Sequence, residues 1–476
     1  MNLIMDELTG KSVSELAAMM RERVVSPVEV MEAHLRRIED VNPRLNAVVT
    51  LAPDALEQAR AAEDSLMRND AKGALHGVPV TIKDTIDTRG LLTTSGSRAR
   101  AGRVPSADAE AVARLRAAGA IVLGKTNTAE MAMTYEASNP VFGRTNNPHD
   151  ARLTAGGSSG GEAAAISCGL SPAGLGSDLM GSIRVPAHFC GVVGLKPTTG
   201  RVPCAGHTPQ VIGPLALGAV IGPLARRVED LSLLLKVLSG FNAVEPASVP
   251  GVGAEQAVVA LKGCRVAWYG FDGVTPVRAE ILEAVQRAAR VLEEAGLVVE
   301  ERRPPSVEAG PGLWSKLFAW AAFDRLREVY AGQEQLAGED ARFLLKTFTD
   351  ALPPTASAFI AAWNERDLRR GELIEWMKDV PLIIAPVGSV AAFAHGSRKV
   401  SIGDETLSVF RAFGYSQTYN VYGLPVVSVP AGRTPEGLPV GVQIIGRPFA
   451  EETVLAAASI IEQVQSPIFK VQSLKE

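Results

Sequence analysis

Several features that mark specialised proteins are scarce in this chain. It has four cysteines in 476 residues (Cys168, Cys190, Cys204 and Cys264), spaced neither as zinc ligands nor as a disulfide scaffold. Buried thiols in a reducing compartment are expected instead, with no metal site. Lysine and arginine total 48 against 52 acidic residues, a net charge of -4. No cationic field is therefore available for nucleic acid or anionic lipid. The first residues show no basic stretch leading into an apolar core and a small-residue cleavage site, so cytoplasm is the expected location. The longest uncharged run, 202–225, matches a membrane span in length. It is broken by Pro203, Pro209, Pro214 and Pro223 and by four glycines, and so reads as buried loop and short strand.

What is present is ordinary for a globular protein: 46% hydrophobic and 21% charged residues. Such a length fits about three average domains or one large α/β unit. Ser12 with Glu15, and Ser26 with Pro27 and Glu29, are helix-start signatures, and a third helix is expected near Pro53. The run 77–84 (GVPVTIKD) is a short β-branched strand that delivers Lys83 at its end. Ser106 is expected to cap a helix reaching Ala118, followed by a strand at 120–123. Further strands are read at 261–270, 297–301, 381–386, 424–429 and 439–445, with a closing helix at 452–463. Their alternation with helices argues for α/β architecture assembled from both halves of the chain. The stretch 311–378 is helical in pattern and carries Trp314, Phe318, Trp320, Phe323, Trp363 and Trp376.

Residues 119–126 (GAIVLGKT) satisfy the phosphate-loop pattern. That motif needs a strand, then a loop whose amides wrap phosphate, then a helix. Here a helix precedes Gly119, and Ala120 to Leu123 are strand formers, so the match is set aside.

A stronger grouping is Lys83, Ser158 with Ser159, and Ser182. An apolar strand lowers a lysine's affinity for its proton, which makes a neutral amine available as a base. Serine becomes nucleophilic when such a base takes its proton, and a second serine can bridge the two. Consecutive backbone amides beside Ser182 could donate to an oxyanion.

These residues sit in GVPVTIKD (77–84), GKTNTAEMA (124–132), GGSSGGEAAA (156–165) and GSDLMGSIRVPAHFCGVVGLKPT (176–198), with GLPVVSVPAG (423–432) and GLPVGVQIIGRPFAEE (437–452) near the end. In order and spacing these segments resemble the amidase signature family across nearly the whole chain, leaving about 300–400 unplaced. The resemblance implies an α/β/α sandwich around one large mixed, mostly parallel sheet, with N-terminal helices and a helical insertion. It divides the chain into an N-terminal helical segment (1–70), a signature core (71–300), a helical insertion or cap (301–380) and a C-terminal completion of the sheet (381–476). It implies a Ser-Ser-Lys triad: Ser182 as nucleophile, Ser158, after a cis peptide bond, as bridge, and Lys83 as base. The backbone amides of Leu179, Met180, Gly181 and Ser182 would form the oxyanion hole. Met131, Gly157 and Met180 would lie beside the substrate, and Ser159, Ser177, Asp178 and Arg184 would support the site, Asp178 pairing with Arg184. His188 is read as structural. Met180 departs from the family, whose members typically carry glycine there.

The implied activity is hydrolysis of C–N bonds in a small-molecule amide, aryl or hydrophobic amides being favoured, through an acyl-enzyme and without a cofactor. Carbamate (urethane) or ester cleavage on the same site is the alternative. The rivals from other classes are a catalytically silent binding protein and an amidotransferase subunit. No nucleic-acid or membrane partner is expected, and a homodimer is left open.

Calorimetry with a magnesium nucleoside triphosphate should show no heat of binding. Micromolar affinity abolished by Lys125→Ala would restore the phosphate-loop reading.

Overall fold

The computed structural model describes residues 7–250 and 261–464. Both early helix starts form as read. Ser12 and Ser26 each close a reciprocal capping box, with Glu15 and Glu29, at the heads of helices Val13–Arg21 and Pro27–Leu45. The helix expected from Ser106 starts later, at Glu110, and runs to Ala117. Its leading amides are taken by other segments: Ala109 N–H donates to Asp87 O and Glu110 N–H to Ala205 O, so no side-chain cap is needed.

The strands are β1 (Val48–Leu51), β2 (Pro79–Lys83), β3 (Ile121–Thr126), β4 (Ser138–Asn139), β5 (Gly143–Arg144), β6 (Ala173–Asp178), β7 (Val193–Lys196) and β8 (Val220–Ala225). They continue with β9 (Arg265–Trp268), β10 (Val298–Glu301), β11 (Leu382–Pro386), β12 (Lys399–Ile402), β13 (Glu405–Ser408), β14 (Val426–Arg433) and β15 (Pro439–Gly446). Eleven of them form one sheet in the order β1-β3-β2-β6-β8-β7-β14-β15-β11-β9-β10. The sheet is mixed, as expected. Its parallel ladders lie in two flanking groups, β3-β2-β6 and β11-β9-β10. From β6 through β8, β7, β14 and β15 to β11 every pairing is antiparallel, as is β1 with β3. β14 and β15 are joined by a short turn, which permits only an antiparallel return.

Every residue of β2, β3, β6, β7, β8, β11 and β15 is buried, so the sheet is covered on both faces. Alternation along the strands divides the interior in two. Val427, Val429, Val440, Val442 and Ile444 join one core with the helices Ala279–Glu294 and Glu451–Val464. Val426, Ile383 and Ile445 join the other, with Trp314, Phe318, Tyr415 and Tyr419. The helices Gly310–Trp314, Trp320–Tyr330 and Ala356–Trp376 contribute side chains to that second core, whereas Glu339–Thr349 packs in a smaller cluster with Leu326 and Tyr330.

The uncharged run 202–225 contains a short 3-10 turn and β8, both consistent with its reading as loop and strand. Among the described residues no helix is long and apolar enough to cross a membrane. GAIVLGKT is mostly β3, and Lys125 Nζ is buried against Thr88 Oγ1 and Thr93 Oγ1, each at 3.0 Å. The geometry is thus that of a core strand rather than a phosphate cradle.

Gly174 shows how tightly β6 is held against its neighbours: a Cβ there would run into the Glu162 carboxylate and Thr81 O. Gly174→Ala should cost about 1–3 kcal/mol through overpacking, and a fall in thermal melting measures it. Unchanged melting would show that the helix Gly160–Ser167 can slide to make room.

Candidate active site

β2 and β6 are parallel neighbours, with Thr81 opposite Gly174 and Ile82 opposite Leu175. Their carboxyl ends therefore finish together, where open α/β sheets present their sites. β2 ends on Lys83 and β6 on Ser177 and Asp178. Lys83 Nζ lies 2.6 Å from Ser158 Oγ and 3.0 Å from Ser177 Oγ. Ser158 reaches it from the glycine turn that opens the helix Gly160–Ser167, and the Gly157–Ser158 peptide is cis, as the resemblance implies. Gly157 has no room for a side chain, because a Cβ would strike the main chain of residues 134–136.

Lys83 is completely buried. Burial drives its pKa down to about 7, against the opposing pull of the Asp178 and Glu162 carboxylates. Glu162, held between Thr81 Oγ1 and Thr126 Oγ1, is itself pushed up to about 7 by burial. A lysine that readily gives up its proton at neutral pH is the property a general base requires.

Ser182 stands in the turn after β6, where Gly181 adopts φ +107°. Met180 keeps an ordinary negative φ, so replacing the family's glycine adds no left-handed strain at that position. Ser159 ties the two serine turns together: its N–H donates to Ser182 O at 3.2 Å, and its Oγ accepts from Ser177 N–H at 3.3 Å. Among the described hydrogen bonds none joins the Ser158 and Ser182 hydroxyls.

The four amides expected in the oxyanion hole do not behave alike. Gly181 N–H donates to Asp178 Oδ1 at 2.8 Å and is turned into the protein, which removes it from the hole in this conformation. The carboxylate at the end of β6 is fully buried and charged, which makes this a strong hydrogen bond. The amides of Leu179, Met180 and Ser182 have no acceptor among the described residues. The carbonyls of Leu179 and Met180 accept from Trp314 Nε1–H at 2.8 Å and Tyr135 Oη–H at 2.7 Å.

Asp178 and Arg184 are fully buried and doubly hydrogen-bonded, at 2.9 and 3.0 Å. Arg184 also donates to Gln443 Oε1 (2.9 Å) and Asn420 Oδ1 (2.5 Å), and Asn420 Nδ2 donates to Asp178 Oδ1 at 3.0 Å. Burial pushes the Asp178 pKa up, but Arg184 and these hydrogen bonds more than reverse it, leaving it well below the usual carboxylate range.

Met131 and Met180, expected beside the substrate, are both buried. Met131 is buried in an apolar cluster with Leu326, Tyr330 and Ala341, and Met180 in one with Tyr135, Val185 and Phe189; neither lines the cavities of about 310 to 940 Å³ among the described residues. Both follow the ordinary preference of methionine for irregular core gaps. His188 is structural in its contacts: Nδ1 accepts from Gly441 N–H at 2.6 Å and Nε2 donates to Val390 O at 3.1 Å. Cys168, Cys190 and Cys204 are buried, whereas Cys264 is partly exposed.

Two features have no signal in the sequence. His207 Nε2 lies 2.9 Å from Ser177 Oγ, so a residue from the uncharged run reaches the lysine's own partner. A cavity of about 610 Å³ is walled by Tyr135, Glu136, Phe343, Phe393, His395 and Phe410. It does not reach Lys83, Ser158 or Ser182, and Tyr135, whose hydroxyl holds Met180 O, stands between. No cluster of histidine, cysteine and acidic residues fit for a metal occurs among the described residues.

The model of the family described as Amidase matches residues 29–455. An acylamidase of Rhodococcus erythropolis is 34% identical over 478 residues, covering 95% of each chain. A glutamyl-tRNA(Gln) amidotransferase subunit of Alkaliphilus metalliredigens (strain QYMF) is 33% identical over 468 residues, covering 93% of this chain and 94% of its own. Among solved structures, a bacterial aryl acylamidase of the amidase signature enzymes superposes with a TM-score of 0.88 at 28% identity, over 98% of this chain and 99% of the other.

Arg184→Leu should cost about 3–5 kcal/mol in urea unfolding, since it strands a buried carboxylate. In the wild-type chain the folded pKa of Asp178 lies below its unfolded value near 4. The pair's stabilisation is therefore complete at neutral pH and is lost as pH falls below about 4. Unfolding of Arg184→Leu at wild-type urea would remove the brace.

Proposed function

Because the chain belongs to the amidase signature family, we propose that it hydrolyses small-molecule amides through Lys83, Ser158 and Ser182 as base, bridge and nucleophile. The observation that carries this reading is the 2.6 Å approach of Ser158 Oγ to a fully buried lysine whose pKa is lowered to about 7. Neutral Lys83 takes the Ser158 proton while Ser158 takes that of Ser182, and Ser182 Oγ attacks the carbonyl carbon. The tetrahedral oxyanion is met by the free amides of Leu179, Met180 and Ser182. As it collapses, the proton returns through Ser158 to the departing nitrogen, and water activated by the same relay hydrolyses the acyl-enzyme. The hydroxyls of Ser158 and Ser182 meet only when substrate is bound, since catalytic hydrogen bonds tighten in the reacting complex.

Aryl or otherwise hydrophobic amides are the favoured class, with carbamates as the alternative. Support comes from the aromatic walls of the cavity behind Tyr135 and from the helical cap of residues 310–376, whose Trp314 holds the nucleophile turn. The similarity to an acylamidase agrees with this. The similarity to an amidotransferase subunit favours a second reading, in which the same triad releases ammonia within a complex. Turnover of an aryl amide by the isolated chain decides between them. A cytoplasmic setting belongs to the same proposal.

Lys83→Ala should abolish nearly all amide turnover with melting unchanged, and turnover within about threefold of wild type would overturn the base, whose worth is about 10²–10⁴. Ser158→Ala should harm amides more than activated esters, because only a poor leaving group needs the relayed proton. In the wild type kcat/KM should rise with pH through about 7, as Lys83 becomes neutral; a flat profile from about pH 5 to 9 counts against it.

A further inference from the structure

We propose that His207 is a positioning residue for the Lys83 base, acting through Ser177. This deepens the hydrolase reading and rests on it. His207 Nδ1 is 2.8 Å from Pro209 O, and its Nε2 is 2.9 Å from Ser177 Oγ. A carbonyl oxygen can only accept, so Nδ1 carries the proton. In the neutral ring Nε2 is then an acceptor, and the Ser177 hydroxyl donates to it. With its proton committed, Ser177 Oγ can only accept from Lys83 Nζ, 3.0 Å away. One lysine N–H is thereby fixed on Ser177, and the amine lone pair is left facing Ser158 at 2.6 Å.

Without His207 the Ser177 hydroxyl is free to turn its proton onto the lysine lone pair and compete with Ser158. The direction of proton flow at Lys83 is thus set by a distant carbonyl, through an unbroken chain from Pro209 to His207 to Ser177 to Lys83.

The surroundings keep the ring neutral. Burial pushes His207 down to about 4, against the hydrogen bond to Pro209; Lys83 lowers it further and Asp87 opposes. On its other side His207 borders a cavity of about 310 Å³ whose charged walls are Asp87, Arg100, Arg103, Arg325 and Glu328. That space adjoins the ring and is large enough for a free imidazole.

The test compares the full-length wild type with His207→Ala, His207→Gln and, as a control, Lys83→Ala, all assayed on one aryl amide. His207→Ala should lower kcat at least about tenfold, a part of the 10²–10⁴ attributable to the base, with KM within about twofold. His207→Gln, whose amide oxygen can accept from Ser177, should stay within about threefold of wild type. Millimolar imidazole should restore His207→Ala. A kcat of His207→Ala within twofold of wild type overturns the proposal, as does a loss that neither glutamine nor imidazole repairs. Should His207→Ala lack native melting, Ser177→Ala against Ser177→Thr severs and keeps the same chain of hydrogen bonds: a loss of at least about tenfold in the first with the second within about threefold of wild type is expected, and any other result overturns the proposal. If Lys83→Ala keeps its turnover, it is the triad that fails; if it alone is inactive, only the role of His207 falls.

Discussion

The buried Asp178–Arg184 pair is the constraint around which the site is organised. Asp178 ends β6, and its two oxygens are shared among Arg184, Asn420 and the amides of Gly181 and Ile183. Those two amides define the turn that carries Ser182. Arg184 in turn reaches Gln443 on β15 and Asn420 on the helix Gly414–Val421, so segments far apart in the chain converge on one carboxylate. An ion pair in this setting repays its desolvation only when every remaining donor and acceptor is satisfied, which is what Gln443 and Asn420 supply. The turn that carries Ser182 is consequently only as well placed as the C-terminal strands behind it.

The same carboxylate acts on the chemistry at a distance. Lys83 is stripped of water by the sheet around it, and Asp178 and Glu162 restrain how far its pKa falls. The balance sets the amine near neutrality, where it can both take and return a proton. Complete burial with no carboxylate nearby would depress the lysine further and weaken it as a base, and an exposed lysine would stay protonated. A direct carboxylate partner would hold the proton too firmly. Instead, the atoms touching Lys83 Nζ are two hydroxyls, Ser158 and Ser177, which can donate or accept.

The aromatic cavity lies apart from Lys83, Ser158 and Ser182. The aromatic cavity stops at Tyr135, whose hydroxyl grips Met180 O and accepts from Gln417 Nε2 at 3.0 Å. Tyr135 also packs against Phe410 and Phe413, so its ring is held by the same aromatic cluster that floors the cavity. The segment leading into Tyr135 has left-handed backbone at both Met131 and Ala132.

Local signals were strong enough to be read directly. The capping boxes at Ser12 and Ser26, the β-branched strand ending on Lys83 and the glycine turns bearing Ser158 and Ser182 each depend on residues a few positions apart, and each forms. The motifs in sequence order were sufficient to name the family. The late start of the helix at Glu110 shows where such reading stops, since distant carbonyls replaced the serine cap. Only the tertiary structure decided that Gly181 N–H donates to Asp178, that Met131 and Met180 pack into cores, and that His207 meets Ser177. The physical reason is common to all three: a polar group's partner and a side chain's burial depend on which segments the sheet order brings together. That order, interleaving strands from both chain halves, is a property of the whole chain and leaves no mark on any short stretch of it.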